Sequence, residues 1–442
     1  MTFHRPRSAP PAGYRLRRLT ADDRRALLDL DTWAFPDPHS VDEFEALALP
    51  LTWERTVGVE PDDGAGATPG PAGSGELAAL HASYPFAEFP VPGAALPTAG
   101  LTWVGVHPQH RRRGLLTAMI DHHLERCRER GEALSALFAA ETAIYGRFGY
   151  GKAADDLRLT VPRGAALRDV PGADAHTVRI EHADRTRHGD LVARLHRAPG
   201  LPTAPGGINR PGWATRETEE LWSSYWSDPK TFRTGGRESL RIVVVERDGE
   251  PRGYAVFRRS LDWQVTGPRG TVHAGEVVAL DAAAARALWG VLLDLDLMSS
   301  TEPFLLPVDD AVTSLLVDPR AAAPRVADNV WVRVVDVRAA LAGRRYQADV
   351  DVVLGVADAR LPDNAGSWRL RAPAFGEATC ERTDDAPDVE LDVRELGAAY
   401  LGGTSLAALA EAGLVTERTP GTLARASAAL GWPLAPACGW VF

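Results

Sequence analysis

The residues best placed to do chemistry lie in a basic turn, Arg111-Arg112-Arg113-Gly114. A β-type segment, Leu101 to Val106, runs into the turn, and a helical pattern leaves it with Leu116, Met119, Ile120, Leu124 and Cys127 along one face. Backbone N–H groups at a helix start have no internal partner and can bind phosphate oxygens. Gly114 removes the Cβ that would hold a ligand off, and the arginines add charge-assisted bonds. The chemistry implied is the binding of phosphate oxygens; the plainer alternative is a solvated basic helix start. Downstream, Tyr145 sits in a short helical stretch after an apolar strand, Leu134 to Ala139. A phenol titrates near pH ~10 and can act as a general acid. Tyr150 is its rival, and a core aromatic with a satisfied hydroxyl is the structural alternative. Glu141 opens the same short helix, as a base or as a cap. The chain closes on Cys438-Gly439-Trp440-Val441-Phe442, apolar to its last side chain. Chain ends are mostly polar and frayed. An apolar end is expected to be buried, and its α-carboxylate goes in with it, where desolvation raises the pKa toward that of a useful base. The simpler alternative is that Phe442 only anchors a terminal strand.

These groups need a scaffold, and the composition bounds it. A chain of 442 residues, 45% hydrophobic, is long enough for several cores, and roughly two to four domains are expected. The formal charge of −10 argues against nucleic acid and for cationic partners. The three cysteines, Cys127, Cys380 and Cys438, have neither metal-ligand spacing nor the even number of a disulfide framework. No metal is expected, and a reducing, cytoplasmic compartment fits. The segment Met1 to Arg18 is polar and proline-rich, unlike a secretory signal. No run approaches the roughly twenty apolar residues of a membrane span.

Along the chain, residues 1–12 read as a disordered lead. Tyr14 to Leu19 alternates as a strand, and Thr20-Ala21-Asp22-Asp23 caps a helix reaching about Phe35. Asp62 to Ser74 is a Gly/Pro-rich hairpin tip or insertion. Strands are expected at Glu76–Tyr84 and Leu101–Val106, a helix at Leu115–Arg130, and then the strand and short helix already described. This strand and helix order makes one α/β unit, residues 1–162. Residues 163–328 repeat the outline: strand Val178–Glu181, a hairpin of Arg241–Val245 and Tyr254–Arg258 around Asp248-Gly249, strand Glu276–Leu280 and helix Ala282–Leu295. The repeat breaks at the turn, which reads Asp281-Ala282-Ala283-Ala284. It lacks glycine, and Asp281 would repel phosphate, so this is read as a degenerate copy; an unrelated α/β unit is the alternative. A third region, 329–442, opens with a strand at Val332–Val337. Alternating segments follow at Asp349–Val356, Gly366–Leu370 and Val389–Leu391, with helices at Arg394–Leu401, Ser405–Ala412 and Thr422–Leu430.

The strand, basic turn and helix resemble the way GNAT acyltransferases hold the pyrophosphate of coenzyme A, and the third region resembles the lipid-cupping sterol-carrier fold. Pro97-Thr98-Ala99-Gly100-Leu101 through His110-Arg111-Arg112-Arg113-Gly114-Leu115-Leu116, and above all Ile144-Tyr145-Gly146-Arg147-Phe148-Gly149-Tyr150-Gly151, resemble the enhanced-intracellular-survival (Eis) acetyltransferases; so do Trp331-Val332-Arg333 and Tyr400-Leu401-Gly402-Gly403. The resemblance covers nearly the whole chain, apart from the extended N-terminus and the Gly-rich insertion. It implies an α/β (α+β) fold of tandem GNAT domains, the second degenerate, and a sterol-carrier-like domain, assembled as a homohexamer. It implies acetyl-CoA as cosubstrate, on Val104, Gly105, Val106, Arg111, Arg112, Arg113, Gly114, Leu115, Leu116, Thr117, Ala140 and Glu141. Tyr145 becomes the acid and the carboxylate of Phe442 the base. The acceptors implied are amines of aminoglycosides, polyamines or lysine side chains, in a pocket with Trp103, Asp37, Phe44 and Trp222. Val441 departs from the acid that family members can carry there, which counts against strong polycation binding.

Two function classes compete. One is an N-acetyltransferase working by direct transfer in a ternary complex, since no cysteine lies in a reactive context; a protein N-acetyltransferase of narrow specificity is its milder form. The other is a non-catalytic acyl-CoA or lipid binder, which an apolar tunnel in the third region would favour.

Overall fold

The computed structural model describes residues 9–36, 39–62, 76–230 and 233–442. Most of the expected N-terminal lead (residues 1–8), the bulk of the Gly/Pro-rich insertion (63–75) and the candidate Asp37 lie outside these residues. The first unit runs β1 (Tyr14–Arg18), α1 (Arg24–Ala34), α2 (Val41–Glu45), β2 (Val57–Pro61), β3 (Ala79–Val91), β4 (Ala94–Val106), α3 (Leu115–Glu129), β5 (Leu134–Phe138), α4 (Thr142–Tyr145), β6 (Gly151–Lys152), β7 (Asp155–Arg158) and β8 (Val161–Pro162). β3 and β4 are longer than their sequence predicts. Prolines and alanines (Pro85, Pro90, Ala94, Ala95, Pro97) dilute the strand signal. The hairpin tip is instead held from a distance: Gly93 N–H donates to Asn209 Oδ1 at 2.9 Å.

One departure from regular pairing makes room for a ligand. β4 pairs in parallel with β5 only at Thr98, Ala99 and Gly100. Beyond that point the two strands part, so among the described residues the edge of β4 from Leu101 to Val106 that faces away from β3 pairs with no strand. The parting coincides with a register shift against β3 between Leu80 and Ala82. It also coincides with a left-handed Trp103, φ 53°, a conformation uncommon for a bulky residue.

The middle unit contains β9 (Thr177–His182), α5 (Arg185–Arg197), α6 (Glu219–Tyr225), β10 (Arg241–Arg247), β11 (Glu250–Ser260), a two-residue ladder of β12 (Trp263–Gln264) and β13 (Gly267–Pro268), β14 (Gly270–Ala279), α7 (Ala282–Leu292), β15 (Met298–Pro303), β16 (Leu306–Pro307), α8 (Ala311–Leu315) and β17 (Arg325–Asp328). The helix start that corresponds to the basic turn is filled by its own side chain. Asp281 caps α7 by accepting from Ala284 N–H at 2.9 Å, and it pairs with Arg252 at 2.7 Å. A phosphate approaching that helix start would meet the Asp281 carboxylate.

The units exchange strands. The first sheet has the order β1-β2-β3-β4-β5-β18-β6, where β18 is Val330–Val334. That segment, expected to begin the third region, arrives from beyond the middle unit and lies antiparallel to β5. In return β8 forms the edge of the middle sheet, β8-β15-β14-β11-β10-β9. β7 sits between β16 and β17 in a ribbon of its own. Arg333 on β18 is fully buried; it donates to Phe148 O at 3.0 Å and to both oxygens of Asp358 at 2.7 and 2.8 Å.

The third unit holds α9 (Val337–Ala342), β19 (Val350–Ala357), β20 (Gly366–Ala372), β21 (Thr379–Thr383), β22 (Val389–Asp392), α10 (Val393–Tyr400), α11 (Leu406–Glu411), β23 (Val415–Glu417) and α12 (Thr422–Leu430). Its sheet order is β21-β20-β19-β22-β23. Tyr346, Tyr400, Trp368, Leu354 and Leu430 are among the side chains packed in its core. The buried Arg344 is satisfied there by the carbonyls of Tyr400 and Leu430. Among the described residues no helix is long and apolar enough to cross a membrane.

Candidate active site

β4, the basic turn and α3 form the first part of the site. Pro108 to His110 make one turn of 3₁₀ helix, after which Arg112 (φ 61°) and Gly114 (φ 84°) are both left-handed. Such a curl gathers successive N–H groups toward one point. Gly114 is the N-cap of α3 and offers no capping side chain, so the first amides of the helix stay open to a ligand. The Tyr14 hydroxyl steadies the turn, bonded to His110 Nδ1 at 2.9 Å and to Arg113 at 3.0 Å. A cleft of about 610 Å³ runs from this turn along the free edge of β4 to α4. It is lined by Val104, Gly105, Val106, Arg111, Arg112, Gly114, Leu115, Leu116, Thr117, Ala140, Glu141 and Tyr145. Of the cofactor residues expected from sequence, Arg113 alone is not on its wall, because its guanidinium is turned to Tyr14. Arg147 and Arg360 line the cleft as well and were not anticipated. Arg147 lay inside a motif already quoted. Arg360 comes from the third unit, pairs with Asp121 at 2.8 Å, and left no local signal.

Tyr145 stands at the inner end of this cleft, 8% exposed and edge-on to Tyr150 at 5.9 Å. Its hydroxyl has no hydrogen-bond partner among the described residues. Burial, then the Glu141 carboxylate, pushes its pKa up to about 12. Tyr150 is committed elsewhere: its hydroxyl bonds Ser135 at 2.7 Å, and Ser135 bonds His123 at 2.8 Å, all buried. Glu141 begins α4 without making a side-chain cap bond and lies exposed on the cleft wall.

A second cavity of about 370 Å³ meets the first, and Phe35, Val104, Ala140 and Tyr145 line both. Its remaining walls come from every part of the chain: Trp103 and Phe138 from the first unit, Arg158, Leu305 and Asp328 from the junction with the middle unit, and Val441 and Phe442 from the chain end. Phe442 is 7% exposed, its ring within 4.9 Å of Phe86, 5.2 Å of Phe138 and 5.6 Å of Trp440.

The tail is clamped before it reaches the cavity. Asn329 exchanges two hydrogen bonds with the backbone of Cys438, at 2.8 and 3.1 Å. The Trp440 indole donates to Ala214 O at 2.7 Å. Over its ring lies the guanidinium of Arg216, 4.9 Å from the centroid and 4.0 Å from that of Tyr225. Arg216 in turn donates to the buried Glu276 at 2.9 Å, which also receives the hydroxyls of Tyr225 and Tyr254. Burial pushes the Glu276 carboxyl up, and Arg216, with His196 beside it, overcomes this and holds it well below the usual range.

Trp103 thus lines the second cavity, whereas Phe44 and Trp222 do not. Phe44 packs between α2 and α1 in the cluster of Leu27, Leu28 and Leu30. Trp222 lies on α6 in the middle unit's core, beneath Arg216. Both are aromatics at helix spacing doing core packing. All three thiols are buried, and burial pushes those of Cys380 and Cys438 up to about 12, which leaves no thiolate suited to an acyl-enzyme. Among the described residues no cluster of three or more His, Cys, Asp or Glu is placed to hold a metal.

Comparison with known proteins gives three domain matches: an acetyltransferase (GNAT) domain over residues 15–153, a second acetyltransferase (GNAT) domain over 212–334, and a sterol carrier protein domain over 337–439. An uncharacterized N-acetyltransferase of Streptomyces coelicolor is 41% identical over 402 residues, 90% of this chain and 92% of that relative. The N-acetyltransferase Eis of Mycobacterium tuberculosis is 34% identical over 386 residues, 85% of this chain and 88% of Eis. The crystal structure of Eis1 from Mycobacterium abscessus matches with a TM-score of 0.77 at 30% identity, covering 97% of this chain and 100% of that one.

Proposed function

The chain belongs to the Eis-like GNAT N-acetyltransferases, and from that premise we propose that it moves an acetyl group from acetyl-CoA directly to an amine, both bound at once. The observation that carries this reading is the meeting of two cavities at one phenol, with the chain end in the second. Pyrophosphate is taken by the amides at the start of α3 with Arg111 and Arg112. The thioester lies along β4, whose unpaired edge offers N–H groups to the carbonyl oxygen as it becomes an oxyanion. The amine nitrogen attacks the thioester carbon and gives up a proton to the α-carboxylate of Phe442. The tetrahedral intermediate then collapses by breaking the C–S bond, and Tyr145 protonates the leaving sulfur. With no reactive thiolate, one attack suffices and no acyl-enzyme is formed.

The acceptor classes are those the family likeness suggests: aminoglycoside-like, polyamine or lysine amines, whose ammonium would approach Asp328 and the terminal carboxylate. A cytoplasmic homohexamer belongs to the same reading. A lipid or acyl-CoA sensor is less favoured, because tyrosine, tryptophan and a capped arginine pack the core of the third unit.

Replacing Tyr145 by Phe should lower turnover by roughly 100- to 10,000-fold while acetyl-CoA still binds, read by thiol release and calorimetry. Normal turnover in that variant would remove the acid assignment. The pH profile supplies a second check. A donor works only while protonated, and a phenol pushed up to about 12 keeps its proton throughout the assay range. Wild-type kcat should therefore rise as groups on the amine side lose protons and show no alkaline fall before pH ~10. A fall centred between pH 8 and 9 would point to another acid.

A further inference from the structure

The acceptor cavity carries charge of both signs. Asp328 supplies a carboxylate whose Oδ2 receives the Trp331 indole N–H at 2.8 Å, and Phe442 supplies the chain terminus. Arg158 is the opposing charge. Its Nε donates to Asp156 at 2.6 Å, and its guanidinium lies over the ring of Phe304, 5.1 Å from the centroid. Asp156 is fully buried behind it, and burial raises its carboxyl pKa. These contacts fix the plane of the guanidinium but use only one of its nitrogens. Nη1 and Nη2 have no hydrogen-bond partner among the described residues, and the side chain is 40% exposed on the cavity wall. A guanidinium held at Nε with its two outer nitrogens open is a fork suited to a planar or tetrahedral oxyanion. Aromatic side chains of Phe35, Trp103, Phe138 and Phe442 share the wall with these charged groups.

We infer that the preferred acceptor is an amine on an apolar or aromatic body that also carries an anionic group, carboxylate or phosphate, which Arg158 grips while the nitrogen faces the thioester. The inference rests on the acceptor reading above and ranks amphoteric amines ahead of pure polycations. A polycation finds Asp328 and the chain end but also meets an arginine that repels it.

The test uses the full chain, saturating acetyl-CoA and thiol release, with phenylalanine, phenylalaninamide, phosphoethanolamine and spermidine as acceptors. Phenylalanine should exceed its amide in kcat/KM by about 10-fold or more, the scale of one charge-assisted hydrogen bond. In Arg158→Gln that ratio should fall to about one. Arg158→Lys, which keeps the charge and loses the fork, should give an intermediate ratio, and thermal melting of both variants separates lost recognition from lost folding. Activity with phosphoethanolamine above that with spermidine would assign the anion as phosphate as well as carboxylate. A wild-type ratio near one, spermidine as the best acceptor, or a ratio unmoved in a folded Arg158→Gln would overturn the anion assignment and leave amine transfer standing. Acetyl-CoA binding with none of the amines acetylated would overturn both.

Discussion

Deleting Phe442 is expected to cut amine acetylation by about 100- to 10,000-fold while acetyl-CoA binding changes little. The deletion moves the α-carboxylate one residue back, onto Val441, which is 53% exposed. It also removes the ring that packs on Phe86 and Phe138. The cleft at the start of α3 shares no wall with either terminal residue, so a direct measurement of acetyl-CoA binding should separate the two effects. Phe442→Leu is the informative control. It keeps the carboxylate at the same position on an apolar side chain, and it should retain most of the turnover that the deletion loses. Full activity after deletion would leave the chain end a packing element and nothing more.

The second large effect is on stability. Glu276→Ala should cost about 3–5 kcal/mol, because it leaves Arg216 buried without its counter-charge and strips an acceptor from two tyrosine hydroxyls. Denaturant unfolding of the purified chain measures it. The double variant Arg216→Met with Glu276→Leu should recover much of the loss, since a buried ion pair is often matched by apolar side chains of similar volume. Its activity should stay low even so, because the guanidinium that lies over Trp440 is gone and the tail behind Phe442 is less firmly held. A single-variant cost under about 1 kcal/mol would mean that water reaches the cluster.

The legible parts of the site were those written in local sequence. The strand, basic turn and helix form where residues 101 to 117 predict them, and the Tyr145 motif lines the same cleft. The turn at Asp281 was legible as a glycine-free one whose carboxylate would repel phosphate; that this carboxylate caps α7 is what the structure adds. What sequence could not show were contributions brought in from a distance. Arg158, Asp328 and Arg360 reach the two cavities through pairing and packing across the units, and nothing near them in sequence marks a ligand. Phe44 and Trp222, named from the family resemblance, line neither cavity, because helix periodicity turns both toward cores. The strand expected at Val332–Val337 lies at Val330–Val334, since Val337 already opens α9; its partner was not readable, because period-two patterning is silent on which sheet a strand joins.

That strand has a consequence for how the chain comes into being. During synthesis the first unit emerges with a gap between Phe138 on one side and Lys152 on the other, which residues 330 to 334 must later fill. Until the ribosome has made the whole middle unit, the nascent sheet has an open seam with unpaired amides and carbonyls, the kind of edge that invites wrong partners. The middle unit is thus the tether that delivers the missing piece. A chain shortened by that unit would have to bring residues 330 to 334 to the first sheet by another route.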